Sequence, residues 1–389
     1  MQEGYSQKPA NRFYRPARQR NQPWRVLLPT LPKTKTGSSS SLILIYGFAG
    51  LIILGTLLLM LPVSSKSGEF TPFVDALFTS TSSVCVTGLV VVDTADYWTS
   101  FGQAVILLLI QLGGFGFMTS ATIFMLAFGR RIGLQERLLI SESMGLTQLG
   151  GLITIVKRMA LFTAIVEILG AVILFLHFSH QYSVGKAVWI SFFQSVSAFN
   201  NAGFDLFGGF RSLSGHYDAP IIIVTTAILI ILGGISFLVI SDIAARRKWK
   251  RFSLDSKIVL IATALLLISG FILVLFTESG DPDTLGFMTF PQKLLNAFFQ
   301  SVTARTAGFS TIDVGNLADY ALFFTMLFMF VGAASGSTAG GVKVNTFGII
   351  VATIWSSLHG RERAGAFGRR FNTLQIYRAL TVIIVSLAL

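Results

Sequence analysis

The chain has 389 residues, 52% of them hydrophobic and only 12% charged, with a formal net charge of +12. A mean hydropathy of +0.69 lies far outside the soluble globular range, where charged residues approach a quarter, so a soluble enzyme or binding domain is excluded. The single cysteine, Cys85, excludes an intrachain disulfide and a CxxC metal or redox site.

In chain order, the first segment (1–41) is a tail carrying Arg12, Arg15, Arg18, Arg20, Arg25, Lys33 and Lys35 among Pro, Gln and Ser. That composition predicts disorder, with a topogenic role or a grip on anionic membrane lipid or a partner. Leu42–Leu61 is uncharged and long enough to cross a bilayer, and it begins too deep in the chain to be a signal peptide. Further spans are expected at Phe101–Phe128, Leu152–Phe178, Ala219–Ile243, Ile258–Phe276, Ala321–Trp355 and Leu374–Leu389. Basic residues recur at Arg130, Arg131 and Arg137, at Arg246–Arg251 and at Arg361–Arg370, whereas Glu69, Asp205, Asp218, Glu278, Asp281 and Asp283 mark the other connections. This is the positive-inside pattern: it puts the N-terminus and the basic loops in the cytoplasm and accounts for the charge without nucleic acid. The four histidines lack an HExxH spacing, and although His177 and His180 can share one helix face, two interfacial histidines are not expected to hold a metal. Glu167, in mid-span, reads as one end of a helix–helix hydrogen bond rather than an ion-coupling group.

Between the spans one phrase recurs. "FVDALFTSTSSVCVTGLVVVDT" bends at Gly88, "ISFFQSVSAFNNAGFDLF" at Gly203 and "NAFFQSVTARTAGFSTID" at Gly308, and the three copies are expected to be in register. Each is too short and too polar to cross a membrane, so the repeating unit is span, short helix, glycine-ended loop, span. Non-helical backbone at membrane depth is tolerated only inside protein or against water. Short helices aiming their partly negative C-termini at one point, followed by carbonyl-rich loops, would replace the hydration shell of a monovalent cation. The plainer alternative is a set of re-entrant packing turns with no ion. Three copies of the phrase favour a pseudo-symmetric transport pathway.

With these phrases, and with "GAASGSTAGGVKVNTF" at Gly332–Phe347, the chain resembles the Trk/Ktr/HKT potassium transporter superfamily, most closely its bacterial Ktr-type membrane subunit. The resemblance implies an all-α polytopic membrane protein, with pseudo-fourfold repeats of span, pore helix, filter loop and span around a central pore. The units fall at 42–129, 130–245 and 246–357, and 358–389 would hold only a loop and the start of a fourth repeat, which is otherwise missing. It further implies filter carbonyls at Val86, Thr87 and Gly88, at Asn201, Ala202 and Gly203, and at Thr306, Ala307 and Gly308. The filter glycines imply potassium selectivity. An intramembrane gate is implied at Gly332, Ala333, Ala334, Ser335, Gly336, Ser337, Thr338, Ala339, Gly340 and Gly341, with Lys343 just beyond it as an electrostatic barrier or as a snorkelling side chain.

Arg305 supports the filter by pairing with loop carbonyls or with Asp205 or Asp313, or else stands as a mouth charge. The stretch Gly336–Lys343 nearly spells a phosphate loop, but Val342 occupies the lysine position, so nucleotide binding there is not expected. No enzyme activity and no covalent cofactor are implied; K+ is the transported ion, with Na+ a possible activator. The implied partners are a second copy in a homodimer and a cytoplasmic nucleotide-binding ring, docking at Arg131–Gly145 and Arg246–Lys257. Three functions stay open at this point: gated potassium uptake driven by ion gradients and voltage, sodium or nonselective cation transport, and a non-transporting membrane scaffold.

Overall fold

The computed structural model describes residues 37–116, 119, 120, 122, 123, 126, 151–360 and 364–388. The basic tail up to residue 36, the Arg130, Arg131 and Arg137 cluster, the docking candidate Arg131–Gly145 and Arg361–Arg363 lie outside these residues.

Three successive units share one order of elements. The first has α1 (Gly37–Met60), α2 (Phe73–Val84), the single turn α3 (Thr94–Tyr97) and α4 (Ser100–Phe115). The second has α5 (Leu152–Phe178), α6 (Val184–Phe199), α7 (Pro220–Gly234) and α8 (Phe237–Arg246). The third has α9 (Leu254–Glu278), α10 (Phe290–Thr303), α11 (Asp319–Phe330) and α12 (Val344–Leu358). A two-residue hairpin, β1 (Gly365–Ala366) against β2 (Arg369–Arg370), then leads to α13 (Thr373–Ala388).

Several expected spans are not single helices. Among the described residues only α5 and α9 are individually long and apolar enough to cross a bilayer, and α7 with α8 makes a third if the pair counts as one span. The expected span Ala219–Ile243, whose glycine pair in Ile231–Val239 predicts a mild break, turns through 89° between α7 and α8, much more sharply than that. The expected span Ala321–Trp355 separates into α11 and α12, with Val331–Lys343 non-helical between them. Likewise α4 stops at Gly116, whose φ of +76° a side chain would resist. In each case a glycine pair or run (Gly113–Gly114, Gly233–Gly234, Gly340–Gly341) removes the side chains that would carry packing through the break.

Polarity is distributed as a lipid-facing protein requires. On α5, Leu161, Ile165, Ile168, Leu169, Val172, Ile173 and Leu176 are exposed, while the short helix α6 buries Ser191, Gln194, Ser195 and Ser197. A soluble protein would invert that arrangement.

One contact holds each short helix to its outer span, and it repeats three times. Ser80 on α2 donates to the Ile52 carbonyl at 2.8 Å, Ser195 on α6 to Glu167 at 2.7 Å, and Ser301 on α10 to Leu267 at 2.7 Å. Three residues further along each outer span stands a glycine. A methyl group there would come within 2.4 Å of the serine oxygen at Gly55 and within 2.5 Å at Gly170 and Gly270. Small residues thus let two backbones approach until a hydroxyl can share a helical carbonyl.

Candidate functional site

The short helices α2, α6 and α10 end in loops whose backbones follow one pattern. Val86, Asn201 and Thr306 have φ of +54°, +57° and +67°, and the glycines two residues on, Gly88, Gly203 and Gly308, have +81°, +75° and +82°. Only the residue between them keeps a negative φ. Alternation of hand turns successive peptide groups toward one side, as concave backbone ion sites require. For β-branched Val86 and Thr306 this conformation costs about 1–3 kcal/mol each, so the surroundings must enforce it. Loops two and three are braced by a hydroxyl, from Ser197 to the Phe204 carbonyl and from Thr303 to Phe309, both at 2.6 Å.

The copies are not in strict register. Thr87 and Ala202 donate to carbonyls five residues back, on Ser82 and Ser197, whereas Ala307 reaches Thr303, four residues back. The third phrase is one residue shorter between its serine and its glycine, yet Thr303 takes over the place of Ser197. The bracing survives the deletion because both residues carry a hydroxyl.

The loops meet at their glycines. A methyl group on Gly88 would lie 2.5 Å from the Ala202 carbonyl oxygen and 3.1 Å from Gly203 Cα, and one on Gly203 would lie 2.9 Å from the Ala307 oxygen. On one side is a cavity of about 150 Å³ lined by Gly88, Gly203 and Gly308 with Asp93, Asp205 and Ser212. On the other is a cavity of about 570 Å³ whose lining includes Cys85, Val86, Gly113 and Gly233. Within loop one, Val86 faces the larger space and Gly88 the smaller, so the glycine junction stands between them.

The smaller cavity is acidic. Asp93 accepts from the Phe210 amide at 2.7 Å, Asp96 from Gly209 at 3.0 Å and Asp205 from Phe207 at 3.1 Å. Burial, with the Asp93 charge adding to it, pushes the Asp205 carboxyl up to about 6.

The floor of the larger cavity is the Val331–Lys343 segment, from which Gly336, Ser337, Thr338, Ala339, Gly340 and Lys343 line the space. The ends of this segment are pinned to each other by Gly332 to Val342 and Val342 to Phe330, both at 3.0 Å. Ala333, Ala334 and Ala339 are buried, and the Ser335 amide donates to Asn345 at 2.9 Å. Where α7 breaks, the carbonyls of Gly233 and Gly234 lose their helical partners; the amides of Thr338 and Ala334 take them at 3.3 and 3.1 Å. Thr338 Oγ1 donates to the Phe199 carbonyl at 3.1 Å, and the Gly340 amide to Thr306 Oγ1 at 3.2 Å. The segment is therefore tied directly beneath loops two and three. Lys343 turns back to the Ala339 carbonyl within its own segment.

Arg305 is 3% exposed, but neither expected carboxylate holds it: Asp205 serves Phe207 and Asp313 caps Gly315. Its Nε has no hydrogen-bond partner among the described residues. Both aspartates sit in tight turns whose own amides consume them, which sequence spacing does not reveal. Sequence reasoning also missed Asn200 and Gln111. The Asn200 amide, at the end of α6, donates to Gln111 Oε1 at 2.9 Å and to Glu167 Oε1 at 3.2 Å, so Glu167 does make its expected interhelical hydrogen bond. The signal was available in the repeat itself, because Glu167 falls where the other units carry Ile52 and Leu267. At Arg246–Lys257, Arg246 pairs with Asp242 at 2.6 Å, and Asp242 also accepts from Ser253 and Ser256.

A helical core of repeated short-helix units whose glycine loops meet between two cavities defines a membrane cation transport protein. The TrkH family profile, described as cation transport protein, matches residues 31–389, and the chain belongs to that family. It is 43% identical to the potassium/sodium uptake protein NtpJ of Enterococcus hirae over 88% of this chain and 75% of that protein. It is 40% identical to the Ktr system potassium uptake protein B of Bacillus subtilis, over 89% and 77% of the two chains. Its fold matches the potassium transporter TrkH from Vibrio parahaemolyticus with a TM-score of 0.67 at 19% identity, covering 91% of this chain and 70% of that one. The protein is an integral membrane cation transporter, not an enzyme.

Proposed function

We propose that the protein takes up potassium across the cell membrane, along a path from the acidic cavity, past the three glycine-ended loops, into the larger cavity. The observation that carries this reading is the meeting of Gly88, Gly203 and Gly308, from three separate units, between two cavities. In this reading the carbonyls of Val86, Thr87 and Gly88, Asn201, Ala202 and Gly203, and Thr306, Ala307 and Gly308 replace the water shell of K+. Arg305 shapes the third loop from within, and Gly332–Gly341 with Lys343 forms the gate below. Ion gradients and membrane voltage drive the flux.

The N-terminus and basic loops lie in the cytoplasm, where Arg131–Gly145 and Arg246–Lys257 receive a nucleotide-binding ring, and two copies of the chain pair in the membrane. The names of the Bacillus and Enterococcus relatives support potassium as cargo. The Enterococcus name also supports a second reading in which sodium is carried alongside potassium or activates its entry. Growth of a potassium-uptake-deficient strain on limiting K+, with tracer K+ and Na+ entry measured in the same cells, tests both. Rescue with K+ entry dominant is expected. Entry of Na+ at an equal rate would favour the second reading, and entry of neither ion would overturn both.

A further inference from the structure

The residue just beyond each short helix, where its glycine loop begins, is treated differently in the three units. Three positions before the glycine stand Cys85, Asn200 and Arg305. Cys85 is exposed to the larger cavity, and the Arg305 Nε has no partner among the described residues. Among the described residues, Asn200 alone of the three has side-chain partners outside its own pore helix. Its Nδ2 donates to Gln111 Oε1 on α4 and Glu167 Oε1 on α5, and also to the Val196 carbonyl at 2.9 Å. Its Oδ1 is buried without a partner and faces Gly114, where a methyl group would lie 2.0 Å away. Asn200 thus fits in one orientation only, with its nitrogen toward the two side-chain acceptors.

Glu167 is only 6% exposed in the middle of an apolar span, a placement that disfavours a carboxyl unless it has work to do. It is also the residue whose carbonyl receives Ser195, so the same turn of α5 grips α6 by its backbone and, through Asn200, by its side chain. The corresponding turns of α1 and α9 offer Ile52 and Leu267 and grip by backbone alone. A carboxyl is therefore not needed to dock a pore helix. What it adds is control of the residue from which Asn201, Ala202 and Gly203 run on.

We propose that Glu167 is a positioning residue for ion selection: with Gln111 it fixes the Asn200 amide and so sets the geometry of the Asn201–Gly203 carbonyls. This rests on the reading of that loop as part of the filter. Loss of one such buried hydrogen bond lets the loop sample other geometries, and discrimination between K+ and Na+ falls while ions still pass.

The test uses the full chain in lipid vesicles, with K+ and Na+ entry measured at equal amounts of folded protein. Glu167→Leu is expected to lower the K+/Na+ ratio by about fivefold. Asn200→Asp, which keeps volume but sets two carboxyls against each other, should lower it at least as much. The double variant Glu167→Gln/Asn200→Asp restores a donor–acceptor pair with the roles exchanged and should recover most of the ratio. A packing role alone would not produce that recovery. A wild-type protein that fails to prefer K+ would sink the filter reading itself. A selective wild type that loses selectivity in Gly203→Ser but keeps it in both Glu167→Leu and Asn200→Asp would overturn the role of Glu167 alone.

Discussion

The glycine-ended loops and the Val331–Lys343 segment are both non-helical backbone in a helical membrane protein, but they are held in opposite ways. The loops are fixed by bonds to the ends of their own pore helices, by hydroxyl braces from Ser197 and Thr303, and by glycine backbones in mutual contact. They also hold strained positive φ at Val86 and Thr306, which persists only where the surroundings over-determine it. The Val331–Lys343 segment is pinned to itself at its ends and by a turn in which Ser337 donates to the Ala334 carbonyl. Its middle depends on groups lent from outside the segment, namely the Gly233, Gly234 and Phe199 carbonyls of the second unit and the Thr306 hydroxyl of the third loop. Each such bond contributes about 1 kcal/mol net, so releasing a few is within the 1–3 kcal/mol that a bound regulator typically supplies. In the proposed function, selection asks for the first kind of attachment and gating for the second.

The strongest way to break this comparison is to disturb the rigid side. Gly203→Ser puts a side chain at φ +75° and 2.9 Å from the Ala307 carbonyl. We expect the K+/Na+ ratio to fall by about tenfold or more, measured by tracer entry. An unchanged ratio would remove the glycine junction from the selective path. On the releasable side, Thr338→Ala deletes one borrowed bond and should raise resting K+ flux about fivefold with the ratio unmoved. A fall in the ratio instead would mean that the segment takes part in selection.

The apolar runs, the three phrases and the small-residue break at Gly332–Gly341 were legible in the sequence because each is local: a run of apolar residues, a repeated word, a cluster of small side chains. A mild break at Ile231–Val239 was legible in the same way, but its 89° sharpness was not, since the Gly233 and Gly234 carbonyls it frees are taken by Thr338 and Ala334, a hundred residues away. The residues proposed to form the filter could be named by counting back from their glycines. The partners of Arg305 could not, because Asp205 and Asp313 are consumed by their own turns. The clamp on Asn200 joins three helices from two units that no spacing relates.

Two smaller effects sharpen the contrast between the cavities. With its carboxyl at about 6, Asp205 is about nine-tenths ionised at pH 7 and about one-tenth at pH 5. Its negative charge concentrates cations in the smaller cavity, so lowering the external pH from 7 to 5 should reduce K+ entry at low K+ by roughly twofold. Asp205→Asn should show the lower rate at both values; a wild-type pH profile in that variant would assign the titration elsewhere. The smallest effect is expected at Lys343, whose charge lines the larger cavity. Lys343→Ala should raise flux by about twofold or less, since the ammonium repels cations in a confined space. If flux stays level, the side chain serves only to cap Ala339.

The division of labour between the two regions is tested most directly by removing part of Gly332–Gly341 and measuring, on the same folded protein in vesicles, both the rate of K+ entry and the K+/Na+ ratio. A selective path closed from below predicts a higher rate with the ratio of the intact protein. A rate that does not rise, or a ratio that collapses with it, would contradict the separation of filter from gate.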